Sequence, residues 1–428
     1  MTTRQLIDPH GRSIVSVTGM GLTTSLGRGV EDTWRRLAAG DSGIRRIKRF
    51  ETENLKTQIA GTVPEFDDDA KSLPERSEII ALQVAEEAAA AAALGIDGDF
   101  PGPLFLAMPP IEFEWTIRHD LAAKLNETEA LDYIKLTTVA DQAPEVYRHM
   151  FELASISETL AERFGTKGSP ISLTTACASG ATAIQLAVEA LRRGEIEAAL
   201  VVATDASVNP ETMVRFNMLS ALSTQNDPPE QASKPFCKNR DGFVISEGAA
   251  ALVLETREHA LARGATELGV LAGVGDKADG FHRTRSNPDG KSIIAAMQNA
   301  LSDAGVTPDD IDHINAHGTS TPENDKMESF GAAAVFGERA AHIPLTSNKS
   351  MIGHTISAAG AIEAVVTLKT LAEGRIPPTI NYDLPDPAIE LDVVGNTARD
   401  ANMQVALSSS FGFGGQNTCL VAAREPLA

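Results

Sequence analysis

The sequence predicts a layered α/β fold made of two similar halves. Short apolar segments alternate with amphipathic helices along the chain, and one strand-and-helix pattern occurs twice. The 428 residues, 43% of them hydrophobic, are enough for two or three domains or for one duplicated unit. Alternation of this kind is typical of mixed sheets covered by helices.

The strand candidates are short apolar segments bounded by polar residues or glycine. In chain order they are Ser13–Val17, Ile171–Thr175, Ala198–Ala203, Ala250–Leu254, Ile311–Asn315, Val405–Ser408 and Thr418–Ala422. Helices are predicted between several of them, for example at Ser179–Arg193 and Ala358–Ala372, where apolar residues recur at helical spacing.

An internal repeat relates Ile171–Ile196 to Ile343–Ile376. Both segments begin with Ile-x-Leu-Thr and continue into a helix, and four identical pairs share one offset of 180 residues: Gly180 with Gly360, Leu191 with Leu371, Gly194 with Gly374, and Ile196 with Ile376. Between strand and helix the second copy has eight extra residues, which include Lys349 and His354. Repeated segments in one order indicate a duplicated unit.

The ends of the two halves also match. Glu247–Glu258 (EGAAALVLETRE) resembles Gly415–Glu425 (GQNTCLVAARE), and each segment is predicted to be a closing strand. The expected division is therefore 1–260 and 261–428, with an insertion at about 100–170 in the first half.

Composition limits the partners and the location. The formal net charge of −21 argues against a nucleic-acid partner, and the one dense basic run, Arg45–Arg49, is expected to be a solvated surface segment. Three cysteines in a long chain predict reduced thiols and a cytoplasmic location. No apolar run approaches the roughly 20 residues that span a bilayer, so no membrane insertion is expected.

Cys177 lies between a predicted strand and a helix rich in small residues. Unpaired N–H groups at a helix N-terminus favour a thiolate, and the flanking Ala176, Ala178 and Gly180 leave room for a substrate. The alternative is a buried structural cysteine, which is the commoner role of a free cysteine.

Two histidines lie in turns rich in Gly, Ser and Thr. His317 directly follows an apolar strand, and His354 lies in the extra residues of the second repeat. Active-site residues are often displayed in such turns, although a hydrogen-bonded structural histidine is the alternative for each. Because of the repeat, the loop of His354 is expected at a position equivalent to the Cys177 turn.

Two other kinds of site are less well supported. A metal site using Cys177 and both histidines lacks the short ligand spacing of zinc motifs. The glycine-rich segment Phe411–Gly415 precedes a predicted strand, whereas a phosphate-binding loop precedes a helix. It is therefore interpreted as a tight turn that brings backbone N–H groups and a phenylalanine to the site.

Together these motifs resemble the elongating β-ketoacyl-[acyl-carrier-protein] synthases, type II, of the thiolase superfamily. The resemblance covers most of the chain from Val17 onward. The segments that carry it are TTACASGA around Cys177, RDGFVISEGAAALVLE at Arg240–Glu255, INAHGTSTPENDKME around His317, SNKSMIGHTISAAGAIEA around Lys349 and His354, and SSSFGFGGQN around Phe413.

The resemblance implies a five-layered αβαβα fold and a homodimer. It also implies decarboxylative condensation of a malonyl-carrier protein with an acyl chain held on Cys177. His317 and His354 would bind the malonyl thioester and stabilise the charge released on decarboxylation. Lys349, paired with Glu363, would orient the site. No cofactor is implied, because phosphopantetheine arrives on the acyl carrier protein.

The resemblance implies further site residues. Backbone N–H groups of Cys177 and Phe413 would form an oxyanion hole, Phe413 would also gate the site, and Phe216 would line the acyl pocket. Asp325 would have a supporting role. Thr319 and Thr321 would contact the phosphopantetheine arm of the substrate, and Thr284 would also contact substrate.

The chain departs from the family pattern at two places. Segment 105–115 (FLAMPPIEFEW) stands where relatives have flexible glycines, which predicts an unusual acyl length or a specialised carrier. Ser220 stands where many relatives have arginine, so carrier binding is expected to use Arg283 and Arg285, or the Arg45–Arg49 run.

Three alternatives to a fatty-acid synthase remain open. A polyketide ketosynthase would share the same site chemistry. A thiolase-type or initiating synthase is less favoured, because an initiating synthase would carry asparagine in place of His354. A non-catalytic chain-length partner would have lost the nucleophile, whereas Cys177 is present.

Overall fold

The computed structural model describes residues 5–67, 71–110, 114–115, 119, 123 and 154–427. The predicted insertion at about 100–170 lies largely outside the described residues, as do three residues of segment 105–115.

The described strands and helices follow in chain order. The strands are β1 Val15–Thr24, β2 Gly27–Arg28, β3 Arg45–Arg46, β4 Ile59–Ala60, β5 Leu104–Ala107, β6 Ile171–Leu173, β7 Ala198–Asp205, β8 Gly248–Thr256, β9 Gly269–Ala278, β10 His313–Asn315, β11 Pro344–Thr346, β12 Arg375–Ile376, β13 Asp392–Val393, β14 Arg399–Asp400, β15 Val405–Phe411 and β16 Gln416–Ala423. The α-helices are α1 Val30–Ala39, α2 Leu73–Ala92, α3 Ser155–Phe164, α4 Ser179–Arg192, α5 Pro210–Met218, α6 Arg257–Ala262, α7 Lys291–Ala304, α8 Pro322–Phe336, α9 Lys349–Ile352 and α10 Ala359–Glu373.

The main strands form one mixed sheet in the order β13-β11-β10-β15-β16-β9-β1-β8-β7-β5-β6. β1 and β9 are joined by two residue pairs alone, Ser16 with Val270 and Val17 with Gly269. On either side of this narrow junction the ladders are long, since β1 pairs with β8 and β9 pairs with β16 over eight residues each.

Helices pack on both faces of the strands. α2 lies on β1, β7 and β8, and α7 lies on β9 and β16 with α8 beside it. α4 and α10 pack against each other between the two groups of strands, where α10 contacts both β8 and β15. The layers are helices, one group of strands, the two central helices, the other group of strands, and helices, which confirms the predicted five-layered fold.

The two central helices meet at the glycines that the repeat aligns. A Cβ atom on Gly180 would lie 2.6 Å from the backbone nitrogen of Ala361, and one on Gly360 would lie 2.6 Å from the backbone nitrogen of Ala181. The contact is reciprocal across the 180-residue offset. It is too close for any side chain, which explains why both positions are glycine.

β1 extends seven residues beyond its predicted end at Val17. Gly19 and Gly21 interrupt the apolar pattern because α2 packs directly on their backbone: a Cβ atom on either would lie about 2 Å from a carbonyl oxygen of that helix. None of the helices in the described part of the chain is both long and apolar enough to cross a bilayer.

The prediction that Arg45–Arg49 is a solvated basic segment is confirmed for Arg46 and Lys48, which are exposed, and is wrong for Arg49. Arg49 donates to both carboxylate oxygens of Glu247, at 2.6 and 3.0 Å, and this pair is buried. Arg45 pairs with Asp67 at 3.1 Å, and Arg46 pairs with Asp227 at 2.5 Å. These ion pairs were not predictable from local sequence, because the carboxylate partners are distant along the chain.

Candidate active site

A cavity of about 560 Å³ lies where the carboxyl ends of β6 and β10 meet the turn between β15 and β16. Of the eleven predicted site residues, all but Lys349, Glu363 and Asp325 line it. Lys349 contacts His317, Asp325 accepts from the backbone of the His317 loop, and Glu363 pairs with Lys349. The structure therefore brings together residues that are far apart in sequence.

The Cys177 turn has a strained backbone. β6 ends at Leu173, and Ala176 adopts a left-handed φ of 51° immediately before Cys177. The Ser179 hydroxyl accepts a hydrogen bond from Thr175 N–H at 2.7 Å and holds the turn closed. Ile356, which lies 180 residues after Ala176, has a φ of 41°. Both copies of the repeat therefore turn in the same unusual way.

The Cys177 thiol is buried and faces backbone donors. Burial raises the pKa of Cys177 to about 11, while N–H groups of Phe413 and of Cys177 itself and the charge of Lys349 act to lower that pKa. The expected thiolate at the helix N-terminus is therefore corrected to a neutral thiol, because desolvation outweighs the donors. The two N–H groups converge on the sulfur.

This pKa predicts how alkylation of Cys177 depends on pH. Below pH 11 the thiolate fraction increases tenfold per pH unit, so the rate of alkylation by iodoacetamide should increase about tenfold per unit between pH 6 and 9. Peptide mass spectrometry separates Cys177 from Cys237 and Cys419. A rate that is constant over this range would mean that the thiol is already ionised.

His317 and His354 lie beside Cys177. Their ring centroids are 5.2 Å apart, and the ligand atoms of Cys177, His317 and His354 all lie within 4.8 Å of one another. Burial and the nearby Lys349 charge hold the pKa of both histidines well below the usual value. Both imidazoles are therefore neutral at pH 7.

Lys349 determines which nitrogen of His317 carries the proton. Its Nζ lies 3.4 Å from His317 Nδ1, and an ammonium group can only donate. Nδ1 therefore accepts, and Nε2 carries the hydrogen of the neutral ring. Neither ring nitrogen of His354 has a hydrogen-bond partner among the described residues, so this buried side chain is available to a substrate.

Lys349 and Glu363 form a buried ion pair, and each side chain is 2% exposed. Burial raises the pKa of Glu363 to about 7, against the lowering effect of the Lys349 charge. The pair fixes the ammonium group next to His317.

Two buried carboxylates, Glu328 and Asp325, hold the His317 loop. Glu328 accepts from the backbone N–H groups of His317 and Gly318, both at 2.7 Å. Asp325 accepts from Phe236 N–H at 2.8 Å and Ser320 N–H at 3.2 Å. Burial raises the pKa of Glu328 to about 7 and that of Asp325 to about 6.

Sequence reasoning named Asp325 and missed Glu328. The available signal was their spacing, because two acids at i and i+3 at the start of a helix face the same loop. It also missed Asp205, which accepts from the backbone N–H groups of Ser207 and Ser357, both at 3.0 Å. Asp205 thereby ties the Cys177 side of the site to the second copy of the repeat.

A second cavity of about 200 Å³ adjoins the first, and Phe216 and Ile356 line both. Its wall includes Ala176 and three residues of the unusual 105–115 segment: Pro109, Pro110 and Glu114. The described part of that segment therefore borders space next to the nucleophile, on the far side of Phe216.

Known proteins resemble this chain over nearly its whole length. Residues 12–98 and 121–260 match the sequence model of the β-ketoacyl synthase N-terminal domain, and residues 268–383 match that of the β-ketoacyl synthase C-terminal domain. A 3-oxoacyl-[acyl-carrier-protein] synthase 2 from Coxiella burnetii is 35% identical over 433 residues, covering 96% of this chain and 98% of that protein.

Solved structures show the same likeness. A β-ketoacyl synthase from Burkholderia phymatum is 33% identical with a TM-score of 0.83, covering 96% of this chain and 99% of that one. A ketosynthase from a type II polyketide synthase, solved in complex with its acyl-carrier protein and bound to the hexaketide, is 32% identical with a TM-score of 0.85 and the same coverage. With its fold and its cavity, the chain belongs to the β-ketoacyl synthase family.

Proposed function

We propose that this protein condenses a malonyl-carrier protein with an acyl chain held on Cys177, with loss of CO₂, to give a β-ketoacyl-carrier protein. The observation that carries the proposal is the convergence of a buried thiol, two neutral imidazoles and two backbone donors in one cavity. Each of these groups has a task in the reaction.

The first step moves the acyl chain to Cys177. A thiol with a pKa of about 11 needs a base, and the neutral His354 can accept its proton. The sulfur then attacks the thioester carbonyl, and the proton passes to the departing phosphopantetheine thiol. N–H groups of Cys177 and Phe413 stabilise the oxyanion of the tetrahedral intermediate.

The second step removes CO₂ from the malonyl thioester. The electron pair of the broken carbon–carbon bond becomes an enolate, so no strong base is required. Nε2–H of His317 and an N–H of His354 donate to the thioester oxygen as negative charge develops there. The enolate carbon then attacks the acyl thioester, and the Cys177 thiolate leaves and is reprotonated.

The remaining site residues bind and guide the substrates. Phe413 lines the cavity together with Cys177 and acts as a gate. Phe216 lines both this cavity and the second one, where the acyl chain lies. The hydroxyls of Thr319 and Thr321 lie 2.9 Å apart and, with Thr284, contact the phosphopantetheine arm.

Mass spectrometry of the intact protein tests this proposal. After incubation with an acyl-carrier thioester, the expected result is one acyl mass on the peptide that contains Cys177. A folded protein that gains no acyl mass would reject the condensing activity and would favour a non-catalytic chain-length partner. A panel of acyl lengths and carriers then separates the fatty-acid from the polyketide pathway.

The same three side chains could ligate a metal ion, which is the competing use of the cluster. The Lys349 ammonium opposes this use, since it lies 3.4 Å from His317 Nδ1 and would repel a divalent cation. The converging N–H groups of Cys177 and Phe413 likewise favour an anion at the sulfur.

An acidic acyl carrier protein is the proposed partner, and Arg283 and Arg285 are its proposed cationic contacts. Both are exposed and form no ion pair with any described residue, in contrast to Arg45, Arg46 and Arg49. Reversing both charges to glutamate should increase KM for the acyl-carrier substrate at least about fivefold with little change in kcat. An unchanged KM at low salt would reject these contacts.

Three further proposals concern organisation. The chain divides into two halves near residue 260, and the narrow junction between β1 and β9 supports this division.

The protein forms a homodimer. This is supported by β6, which is an edge strand of the described sheet and in which Ile171 is 42% exposed. It works in the cytoplasm, supported by three free cysteines.

A further inference from the structure

The second cavity, which shares Phe216 with the first, has a polar wall. More than half of its lining residues are polar, and they include three carboxylates, Glu114, Asp205 and Glu211, against one cation, Arg215. Its volume of about 200 Å³ is below the roughly 300–1,000 Å³ of pockets for drug-sized ligands, so the space suits a short acyl group. A plain hydrocarbon group there would leave polar groups of the wall without partners, which costs free energy.

Backbone N–H groups hold the three carboxylates in place. Glu114 accepts from Leu73 N–H at 3.0 Å, and Glu211 accepts from Trp115 N–H. Asp205 is held by the two N–H groups described above. A carboxylate has about four positions at which it can accept a hydrogen bond. Each of the three can therefore accept a further donor from a group that enters the cavity.

Ser357 adds a hydroxyl group to the same wall. Its side chain is fully buried and lines the second cavity. The hydroxyl lies near the Asp205 carboxylate, yet it forms no hydrogen bond of normal geometry with a described residue. Ser357 lies 180 residues after Cys177, so in the second copy of the repeat it takes the position of the nucleophile. A buried hydroxyl without a partner is costly, and a polar group of a ligand would supply that partner.

We infer that the acyl group accepted by Cys177 is short and carries a hydroxyl, which binds to Ser357 and the carboxylates of the second cavity. A hydroxyl both donates and accepts, so it can donate to a carboxylate while it accepts from Ser357. An amino group is less suited, because its positive charge would be repelled by Arg215 in the same wall. The inference rests on the proposed function, because that function places the acyl chain in this cavity.

The test compares acyl groups of equal length with and without a hydroxyl. Butanoyl is compared with 3-hydroxybutanoyl and 3-aminobutanoyl, and hexanoyl with 6-hydroxyhexanoyl, all as pantetheine thioesters so that no carrier protein is involved. Mass spectrometry measures the rate of acylation of Cys177 in the wild type, Ser357→Ala and Ser77→Ala. Ser77 is a matched control, since it is fully buried, has a hydroxyl without a partner and lines neither cavity.

In the wild type, at least one hydroxyacyl group should acylate Cys177 about tenfold faster than the plain group of equal length. This ratio should decrease to within about twofold of one in Ser357→Ala and should be retained in Ser77→Ala. A wild type that prefers the plain or the amino group would overturn the inference. So would a ratio that is unchanged in Ser357→Ala. If that variant does not fold, the wild-type comparison alone decides.

Failure of the proposed function would give a different result, in which none of the thioesters acylates Cys177 in the wild type. Amide analogues of the same pantetheine thioesters then measure binding without reaction, by isothermal titration. Tighter binding of a hydroxyacyl amide than of the plain amide would support the polar cavity without the condensing activity. Equal affinities would overturn the inference as well.

Discussion

Replacing Cys177 by alanine is expected to abolish the acyl-enzyme and to lower condensation by at least about 10⁴-fold. The sulfur is the acceptor of the acyl chain, and no described residue in the cavity wall offers another thiol. Decarboxylation of the malonyl thioester should persist, since His317 and His354 are untouched. Acyl incorporation by mass spectrometry and CO₂ release measure the two steps separately.

His354→Ala is the matched comparison, in which decarboxylation rather than acylation is expected to be the step that is lost. His354 donates to the malonyl oxygen in the proposed mechanism, so CO₂ release should decrease about 10²- to 10³-fold. Acylation of Cys177 should be slower but still reach completion, because any base or a higher pH can remove the thiol proton. Equal loss of both steps in both variants would show that the residues do not have separate tasks.

Replacing Glu247 by alanine is expected to destabilise the fold by about 3–5 kcal/mol. Glu247 is fully buried, accepts hydrogen bonds from Nη1 and Nη2 of Arg49, and lies 3.4 Å from Arg76 Nε. It also accepts from Val63 N–H at 3.1 Å. Its removal leaves two buried positive charges without this partner. The free energy of unfolding in urea at pH 7 measures the effect.

Asp227→Ala is the control for this substitution. It breaks the ion pair with Arg46, whose two side chains are 44% and 76% exposed, and should cost less than about 1 kcal/mol. If Glu247→Ala does not fold, Glu247→Gln keeps the shape and removes the charge. A loss below about 1 kcal/mol in both Glu247 variants would mean that the buried cluster contributes little.

The sequence was sufficient to predict the layered fold, and most of the residues it indicated for the site line one cavity. The 180-residue offset aligned Gly180 with Gly360, and those glycines turned out to be a contact. The offset also placed the loop of His354 near the Cys177 turn, since duplicated units fold alike. Local patterns and the repeat were therefore enough to predict structure where the contacts that determine it recur at a fixed spacing in the sequence.

The sequence was not sufficient where the partner is distant and unrepeated. Arg49 is bound by Glu247, 198 residues away, so the prediction of a solvated basic segment is wrong at this residue. The thiol pKa was misjudged for a related reason: the helix N-terminus is visible in the sequence, whereas burial is a property of the folded molecule. Glu328 was missed because its partners are backbone N–H groups, so its spacing from Asp325 was the one signal in the sequence.

The glycine contact between the central helices has a consequence for how the enzyme fails on heating. Cys177 lies just before one helix and His354 just before the other, so the contact sets the spacing of the reacting groups. A slight separation of the two helices would inactivate the enzyme while every strand remained paired. On heating, activity should therefore be lost at a lower temperature than the one at which the protein unfolds. Substitutions meant to increase heat tolerance should accordingly be made in this middle layer rather than on the outer helices.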